Sequence, residues 1–175
     1  MLSKSQQRQF GELCNASFGD VALAITAGAG QDGLENDGLF VPIPTANIAR
    51  PESATPILLF DADLDDTETL TLKKLNGRDA TDAAGAGAAD FDTGAQGHEI
   101  TADVLLATGE TGGTTVRGAF RGPTLSLVGA RTHIQFQYTV DLSRAVTDTV
   151  QLQLAILWGG HGVEPTLALI EDSNL

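Results

Sequence analysis

An acidic segment, FDADLDDTETLTL at residues 60–72, is the part of the sequence whose residue types and spacing come closest to chemistry. Asp61, Asp63 and Asp65 alternate with other residues, as the first oxygen ligands of an EF-hand calcium loop do. The rest of that loop is missing, because the sixth position holds aspartate instead of glycine and the twelfth holds leucine instead of glutamate. The spacing therefore excludes an EF-hand.

Two interpretations of this segment stay open. A looser calcium site of a β-sandwich could use Asp61, Asp63 and Asp65 together with loop carbonyls. We favour a solvated acidic turn between two strands, in which aspartates bond to their own backbone and reverse the chain. The sequence therefore predicts no obligatory metal site and no cofactor.

No other combination of residue types in the sequence forms a catalytic or metal-binding motif. His98, His133 and His161 are far apart, and Cys14 is the single cysteine. HExxH, C-x-x-C and G-x-S-x-G motifs are absent from the sequence. GAGQDG at residues 28–33 lacks the pattern of a phosphate-binding loop. We therefore predict that the protein is not an enzyme.

Length and charge restrict the classes of function further. A chain of 175 residues with 42% hydrophobic residues has the size and content of one folded domain. Its 23 acidic and 10 basic residues give a net charge of −13, which argues against nucleic acid and anionic membranes as partners. Strong acidity favours solubility in salty surroundings, such as those of a marine or halophilic source, because salt screens the repulsion.

The sequence shows no targeting or membrane-spanning pattern. The first residues, MLSKSQQRQF, lack the apolar region of a signal peptide. The longest apolar stretch, LAILW, is far shorter than the roughly 20 residues that a membrane helix needs. We expect a soluble product that is made in the cytoplasm.

Most of the chain alternates between apolar and polar residues, as antiparallel strands do. The alternation is clearest in RTHIQFQYTV (131–140) and TDTVQLQLAILW (147–158), and it gives each sheet one buried and one wet face. Pro42 indicates an edge strand or a bulged strand. Eight or nine short strands predict a single all-β domain over residues 18–175, an antiparallel β-sandwich or jelly roll.

Two segments lack the pattern of a core strand. Residues 1–17 predict an N-terminal arm with a short helix, in which Phe10 and Leu13 share one face. Residues 76–98, rich in glycine, alanine and aspartate, predict a flexible loop whose one bulky apolar residue is Phe91. Neither segment has the content to join the core, so both are free to contact a partner.

The order of short sequence motifs in the second half of the chain resembles that of small β-sandwich structural proteins encoded beside the major capsid gene in tailed bacteriophages. The resemblance covers roughly residues 56–162. It rests on a TLTLK strand, an aromatic-rich strand ending in DLS, a TDT turn and a last apolar strand closing in GG, which lie at Thr69–Lys73, Ile134–Ser143, Thr147–Thr149 and Leu154–Gly160.

The resemblance implies a cement, decoration or minor head protein that is present in many copies on the capsid surface of a virion and has no catalytic residues. Its expected partners are the major capsid protein lattice and neighbouring copies of itself, with no nucleic acid and no membrane. Phe10, Leu13 and Phe91 are the expected capsid contacts.

Two other functions fit the same strand content. The first is a single jelly-roll capsid protein of an icosahedral virus with an internal membrane, for which low lysine and strong acidity would suit a halophilic host. The second is a non-catalytic carbohydrate- or calcium-binding β-sandwich module, which should expose several aromatic side chains. Against the second, Trp158 and Tyr138 are the sole tryptophan and tyrosine, and both alternate with core positions.

Overall fold

The computed structural model describes residues 15–18, 23–26, 34–36, 38–44, 50–91, 99–143 and 148–161. Within these ranges the protein is all β, as the alternation predicts, and no helix has the length and apolarity to cross a membrane. The strands are β1 Asn15–Phe18, β2 Leu23–Thr26, β3 Leu34–Asn36, β4 Val41–Pro42, β5 Pro51–Leu64, β6 Thr69–Ala80, β7 Ala89–Asp90, β8 Val104–Thr108, β9 Thr114–Arg121, β10 Leu125–Ser126, β11 His133–Leu142 and β12 Thr149–His161.

The strands form two antiparallel sheets. Sheet A has the order β1–β12–β5–β10, and β2 and β9 pair with the remaining lengths of β12 and β5. Sheet B has the order β3–β11–β6–β7, and β4 and β8 pair with β11 and β6. In sheet A, β1 and β2 share one position beside β12, and β9 and β10 share one beside β5; in sheet B, β3 and β4 share one beside β11, and β7 and β8 share one beside β6. Each sheet therefore has four strand positions, and their order is that of a jelly roll. The prediction of an antiparallel β-sandwich is confirmed.

The period-2 pattern decides which faces of the two sheets meet. On β11 and β12, every second side chain is buried, and the largest of these are Phe136, Tyr138 and Trp158, which are at most 1% exposed. Side chains from both sheets form one continuous hydrophobic cluster. Pro42 lies in β4, which pairs with β11 alone at the edge of sheet B, as expected for a residue without a backbone N–H.

The last residues of the predicted N-terminal arm lie in a strand. Residues 15–17, predicted as the end of its helix, lie in β1, which pairs with residues 155–158 of β12. The prediction of helix is wrong there, because the long edge of β12 offers the backbone hydrogen bonds of a sheet to this segment. Phe10 and Leu13, the predicted contacts of the arm, lie outside the described residues.

The predicted loop at residues 76–98 also begins later than expected, because residues 76–80 continue β6 and residues 89–90 form β7. This longer β6 contains a β-bulge. Lys74 pairs with Thr139 and Leu72 pairs with Val140, so Lys73 is an extra residue in β6. Beyond this bulge, the polar NGRDA stretch pairs with β11 along its full length. Residues 92–98 lie outside the described residues.

The bulge residue Lys73 forms an ionic group on the outer face of sheet B. Its Nζ lies 2.6 Å from Oδ2 of Asp103 and 3.2 Å from Oδ2 of Asp141. The hydrogen bond to Asp103, which has the larger effect, and the hydrogen bond to Asp141 raise the pKa of Lys73 above its ordinary value of 10.5. Lys73 therefore ties β8 and β11 to β6 where the ladder is interrupted.

Substituting alanine for Trp158 or Phe136 should lower the free energy of unfolding by about 3–5 kcal/mol, because each ring fills a fully buried site. For a chain of this length, that loss corresponds to a fall in melting temperature of roughly 6–20 °C. Native Trp158 fluorescence should be blue-shifted. Val128→Ala is the control, since Val128 is 85% exposed and its loss should change little. A red-shifted, easily quenched Trp158 would contradict the buried position.

Lys73→Met should lower the melting temperature at about pH 8, and the difference from the parent should disappear as the pH rises. A raised folded-state pKa stabilises the protein below the unfolded value of about 10.4, and this contribution is lost as the pH rises through the folded-state pKa. Thermal unfolding between about pH 8 and pH 11.5 measures the change. The control is Lys74→Met. An unchanged difference at high pH would show that Lys73 acts through packing alone.

Candidate functional site

The acidic segment lies mostly on a strand. β5 continues to Leu64, and the alternate residues Phe60, Ala62 and Leu64 are buried, so Asp61 and Asp63 point outward from sheet A. The chain reverses only after Leu64, through a turn in which Thr67 has a φ of +64°. The prediction of an acidic turn is therefore wrong for Asp61 and Asp63, because pairing with β9 extends β5 through this stretch.

Both outward aspartates have partners directly opposite on β9. Oδ2 of Asp61 lies 2.7 Å from Nε of Arg117, and Asp63 accepts a hydrogen bond from the hydroxyl of Thr115. The register pairs Asp61 with Arg117 and Asp63 with Thr115. Facing pairs of this kind contribute about 0.2–1 kcal/mol each to a sheet. The two carboxylates thus act in strand pairing.

Asp65 lies at the start of the turn and contacts a residue distant in sequence. Its N–H donates to Oδ1 of Asp148 at 2.7 Å, and Asp148, just before β12, is 1% exposed. Asp63, Asp65 and Asp148 line a cavity of about 220 Å³ together with Thr114. The sequence gives no signal for Asp148, because 83 positions separate it from Asp65. This contact holds the turn between β5 and β6 against the start of β12.

The three aspartates predicted as a possible calcium site do not converge on one point. Asp61 and Asp63 are engaged with β9, whereas Asp65 contacts Asp148 through its backbone N–H. In the part of the chain that the structure describes, no group of three carboxylate, imidazole or thiolate side chains is arranged to hold a metal ion. The described geometry therefore gives the looser calcium site no support.

Phe91, the predicted contact in the 76–98 segment, packs against the core. Its N–H donates to the carbonyl of Gly77 at 3.1 Å, and its partly buried ring lies beside that glycine. A Cβ at position 77 would lie in ordinary contact with the rings of Phe136 and Phe91, at 3.4 and 3.5 Å, and its tightest neighbour would be Leu125 at 3.2 Å. The structure thus explains Phe91 as an anchor, and its role as a capsid contact stays a prediction.

A short turn separates β6 from β7 and is held by its own polar groups. Oδ1 of Asp82 accepts the N–H groups of Ala84 and Ala86 at 3.0 and 2.9 Å. Gly85 has a φ of +82° and lies against the ring of Phe40, where a Cβ would come within 2.7 Å of the ring. Glycine is therefore required at this position both by conformation and by space.

The outer face of sheet A carries a group of neighbouring apolar side chains. The register places Leu59 beside Ala119, Ile57 beside Ala155, and Leu157 beside Thr55, in three adjoining rows across β9, β5 and β12. Leu59 and Leu157 are each 37% exposed. We name this group the sheet A strip; it consists of Ile57, Leu59, Ala119, Ala155 and Leu157.

Other exposed apolar residues occur singly. Leu105 is 62% exposed on the outer face of sheet B, where it pairs with Thr71 and lies near the polar group around Lys73. Val128 is 85% exposed at a turn between β10 and β11. Scattered exposed apolar residues are normal on a protein surface, whereas adjoining ones mark contact surfaces. The sheet A strip is therefore the candidate interaction surface among the described residues.

Comparisons with known proteins give structural likenesses only. No family model matches the chain, and no curated protein matches it. The chain is similar to the VP2 subviral particle of infectious bursal disease virus, at 12% identity and a TM-score of 0.43 over 85% of this chain and 32% of that chain. The chain thus spans about a third of the VP2 chains that it matches.

Two further solved structures come from bacteriophages. The capsid asymmetric unit of cyanophage Pam1 matches at 14% identity and a TM-score of 0.33, over 83% of this chain and 84% of that chain. The enzymatically active domain of tailspike protein 4 from bacteriophage CBA120 matches at 11% identity and a TM-score of 0.32, over 87% of this chain and 21% of that chain. Viral capsid chains are thus among the structures that the protein resembles, but none of these likenesses assigns it a family or a function.

Chelation should leave the melting temperature of the protein nearly unchanged, because the carboxylates of Asp61 and Asp63 are paired with Arg117 and Thr115 of β9. A calcium site filled at 100 times its dissociation constant would add about 2.7 kcal/mol. In a chain of this size, removing that calcium would lower the melting temperature by roughly 6–10 °C. Thermal unfolding with and without EDTA measures the difference. A fall of that size, reversed by added calcium, would contradict the pairing of Asp61 and Asp63 with β9.

Proposed function

We propose that the protein is a virion structural protein that binds a repeated protein lattice, as a cement or decoration protein on the capsid surface. The observation that carries this proposal is a jelly roll whose interior is filled by its own side chains, among them Trp158, Tyr138 and Phe136. Because the interior is filled, a binding function must use the outer faces, the edges or the terminal segments, as in a protein that acts by binding other proteins. The resemblance of its motif order to that of phage head proteins implies the kind of partner, which is a major capsid protein.

The charge of the chain supports a lattice partner of complementary sign. A domain of net charge −13 repels its own copies, so dense packing needs either screening salt or a partner surface that carries positive charge. Major capsid protein is the partner that the resemblance implies. Nucleic acid and anionic membranes would be repelled by the same charge.

The N-terminal segment before β1 is the proposed contact with the capsid. Phe10 and Leu13 are apolar residues in a segment that is mostly polar, and they would bury their side chains on a partner. Phe91 is the third proposed contact, and its side chain is partly buried against the core. A contact of this size binds modestly in each copy, and many neighbouring copies add to its effect.

A single jelly-roll capsid protein is the second candidate function. The strand order favours it, because eight positions in two four-position sheets form the jelly roll that viral capsid domains use. A protein of this kind would build a closed shell from its own copies, whereas a cement protein needs a shell made by another protein. The two functions therefore differ in what the pure protein assembles.

Deleting residues 1–12 should give a folded domain that no longer occupies capsids, because the deletion spares β1 and removes Phe10. Depleted capsids are mixed with full-length or truncated protein, and the bound copies and the temperature of genome release are measured. Phe10→Ala should reproduce much of the loss. Leu2→Ala is the matched control within the same segment.

Two outcomes of this experiment would change the assignment. Full-length protein that neither binds capsids nor forms a shell would contradict the virion role. Closed shells formed by the protein alone would replace the cement function with that of a capsid protein. Circular dichroism checks that the truncated chain is folded, whichever of these outcomes is observed.

A further inference from the structure

The register divides the outer face of sheet A into a polar half and an apolar half. The polar half holds Asp61 beside Arg117 and Asp63 beside Thr115. The apolar half is the sheet A strip, with Arg121 paired to Ile57 at its border. The boundary between the halves falls within β5, between Leu59 and Asp61.

The charges on the outer face of sheet A cancel. The outward positions of β5, β9 and β12 carry two carboxylates, Asp61 and Asp63, and two guanidinium groups, Arg117 and Arg121. Their sum is zero, so the whole net charge of −13 belongs to other parts of the chain. Two copies that approach through this face therefore bring no net charge of the face against each other.

We propose that the sheet A strip is the surface through which two copies of this chain associate face to face. An apolar patch on a neutral face suits an identical patch, because apolar side chains meet and no charge is buried unpaired. A strongly basic partner would instead be drawn to the acidic parts of the surface. The contact between copies deepens the proposed function, since a lattice component meets neighbours of its own kind, but its test needs no capsid.

The size of the strip indicates a weak contact. Its five positions, each about 6.8 Å along a strand and about 4.8 Å across strands, cover on the order of 160 Å². A stable interface of standard size buries roughly 800 Å² on each partner. The strip is therefore too small for a tight dimer in dilute solution, and it fits a contact that forms at high protein concentration or where copies are held side by side.

Leu59→Glu should weaken the association of full-length protein by roughly tenfold or more, because the contact would then bury an unpaired carboxylate. Sedimentation equilibrium in low and high salt measures the dissociation constant of the parent and the variant. The parent should associate more tightly in high salt, which screens the remaining negative charge. Ala155→Glu, in the neighbouring row of the strip, should have the same effect.

Leu105→Glu is the matched control. It adds the same charge to a more exposed leucine on the outer face of sheet B, so it changes the overall repulsion equally and leaves the strip intact. We expect its dissociation constant to match that of the parent. The melting temperatures of Leu59→Glu and Leu105→Glu should both stay close to the parent value, because both leucines are at the surface.

Three results would overturn the proposal. The first is a parent protein that stays monomeric at every salt and at millimolar concentration. The second is equal weakening by Leu59→Glu and Leu105→Glu. The third is a fall in melting temperature for Leu59→Glu but not for Leu105→Glu, which would show that another segment of the same chain covers the strip. None of these three measurements depends on whether the protein binds capsids.

Discussion

Two long antiparallel ladders, β5 with β12 and β6 with β11, carry the side chains that fill the space between the sheets. One ladder lies at the centre of each sheet, and the shorter strands pair with its free edges. Burial of the inner faces supplies the main driving force for this arrangement, since Trp158, Tyr138 and Phe136 all lie at the contact between the ladders. The positions of the edge strands, the turns and the outer faces follow from these two ladders.

Polar contacts fix the two ends of β6 to other parts of the chain. Near its start, Asp148 accepts the N–H of Asp65 and holds the preceding turn. Near its end, Oδ1 of Asp79 lies 2.8 Å from Nη2 of Arg131, and Oδ2 accepts the N–H of Arg131 at 2.9 Å. Both carboxylates are largely buried, so they gain from specific partners and would be costly to leave alone. They set where turns begin, whereas the core supplies most of the stability.

A filled interior directs function to the surface, and the surface is not uniform. The outer face of sheet A is neutral and partly apolar, whereas the chain as a whole is strongly acidic. In the proposed function, this difference would separate contact with a partner of opposite charge from contact with the protein's own copies. Salt would affect the two proposed contacts in opposite directions, because screening weakens attraction to a basic partner and reduces repulsion between acidic copies.

The sequence by itself determined the all-β class, the buried residues of β11 and β12 and the edge position of Pro42, because alternation and proline chemistry are local properties. Tertiary structure alone decided that Asp61 and Asp63 lie on a strand, that Asp148 meets Asp65, and that β6 continues past its bulge into a stretch rich in turn formers. It also decided that the apolar residues of the sheet A strip adjoin. Each of these features depends on which distant segments pair and in which register, and a period of two residues along one strand does not contain that information.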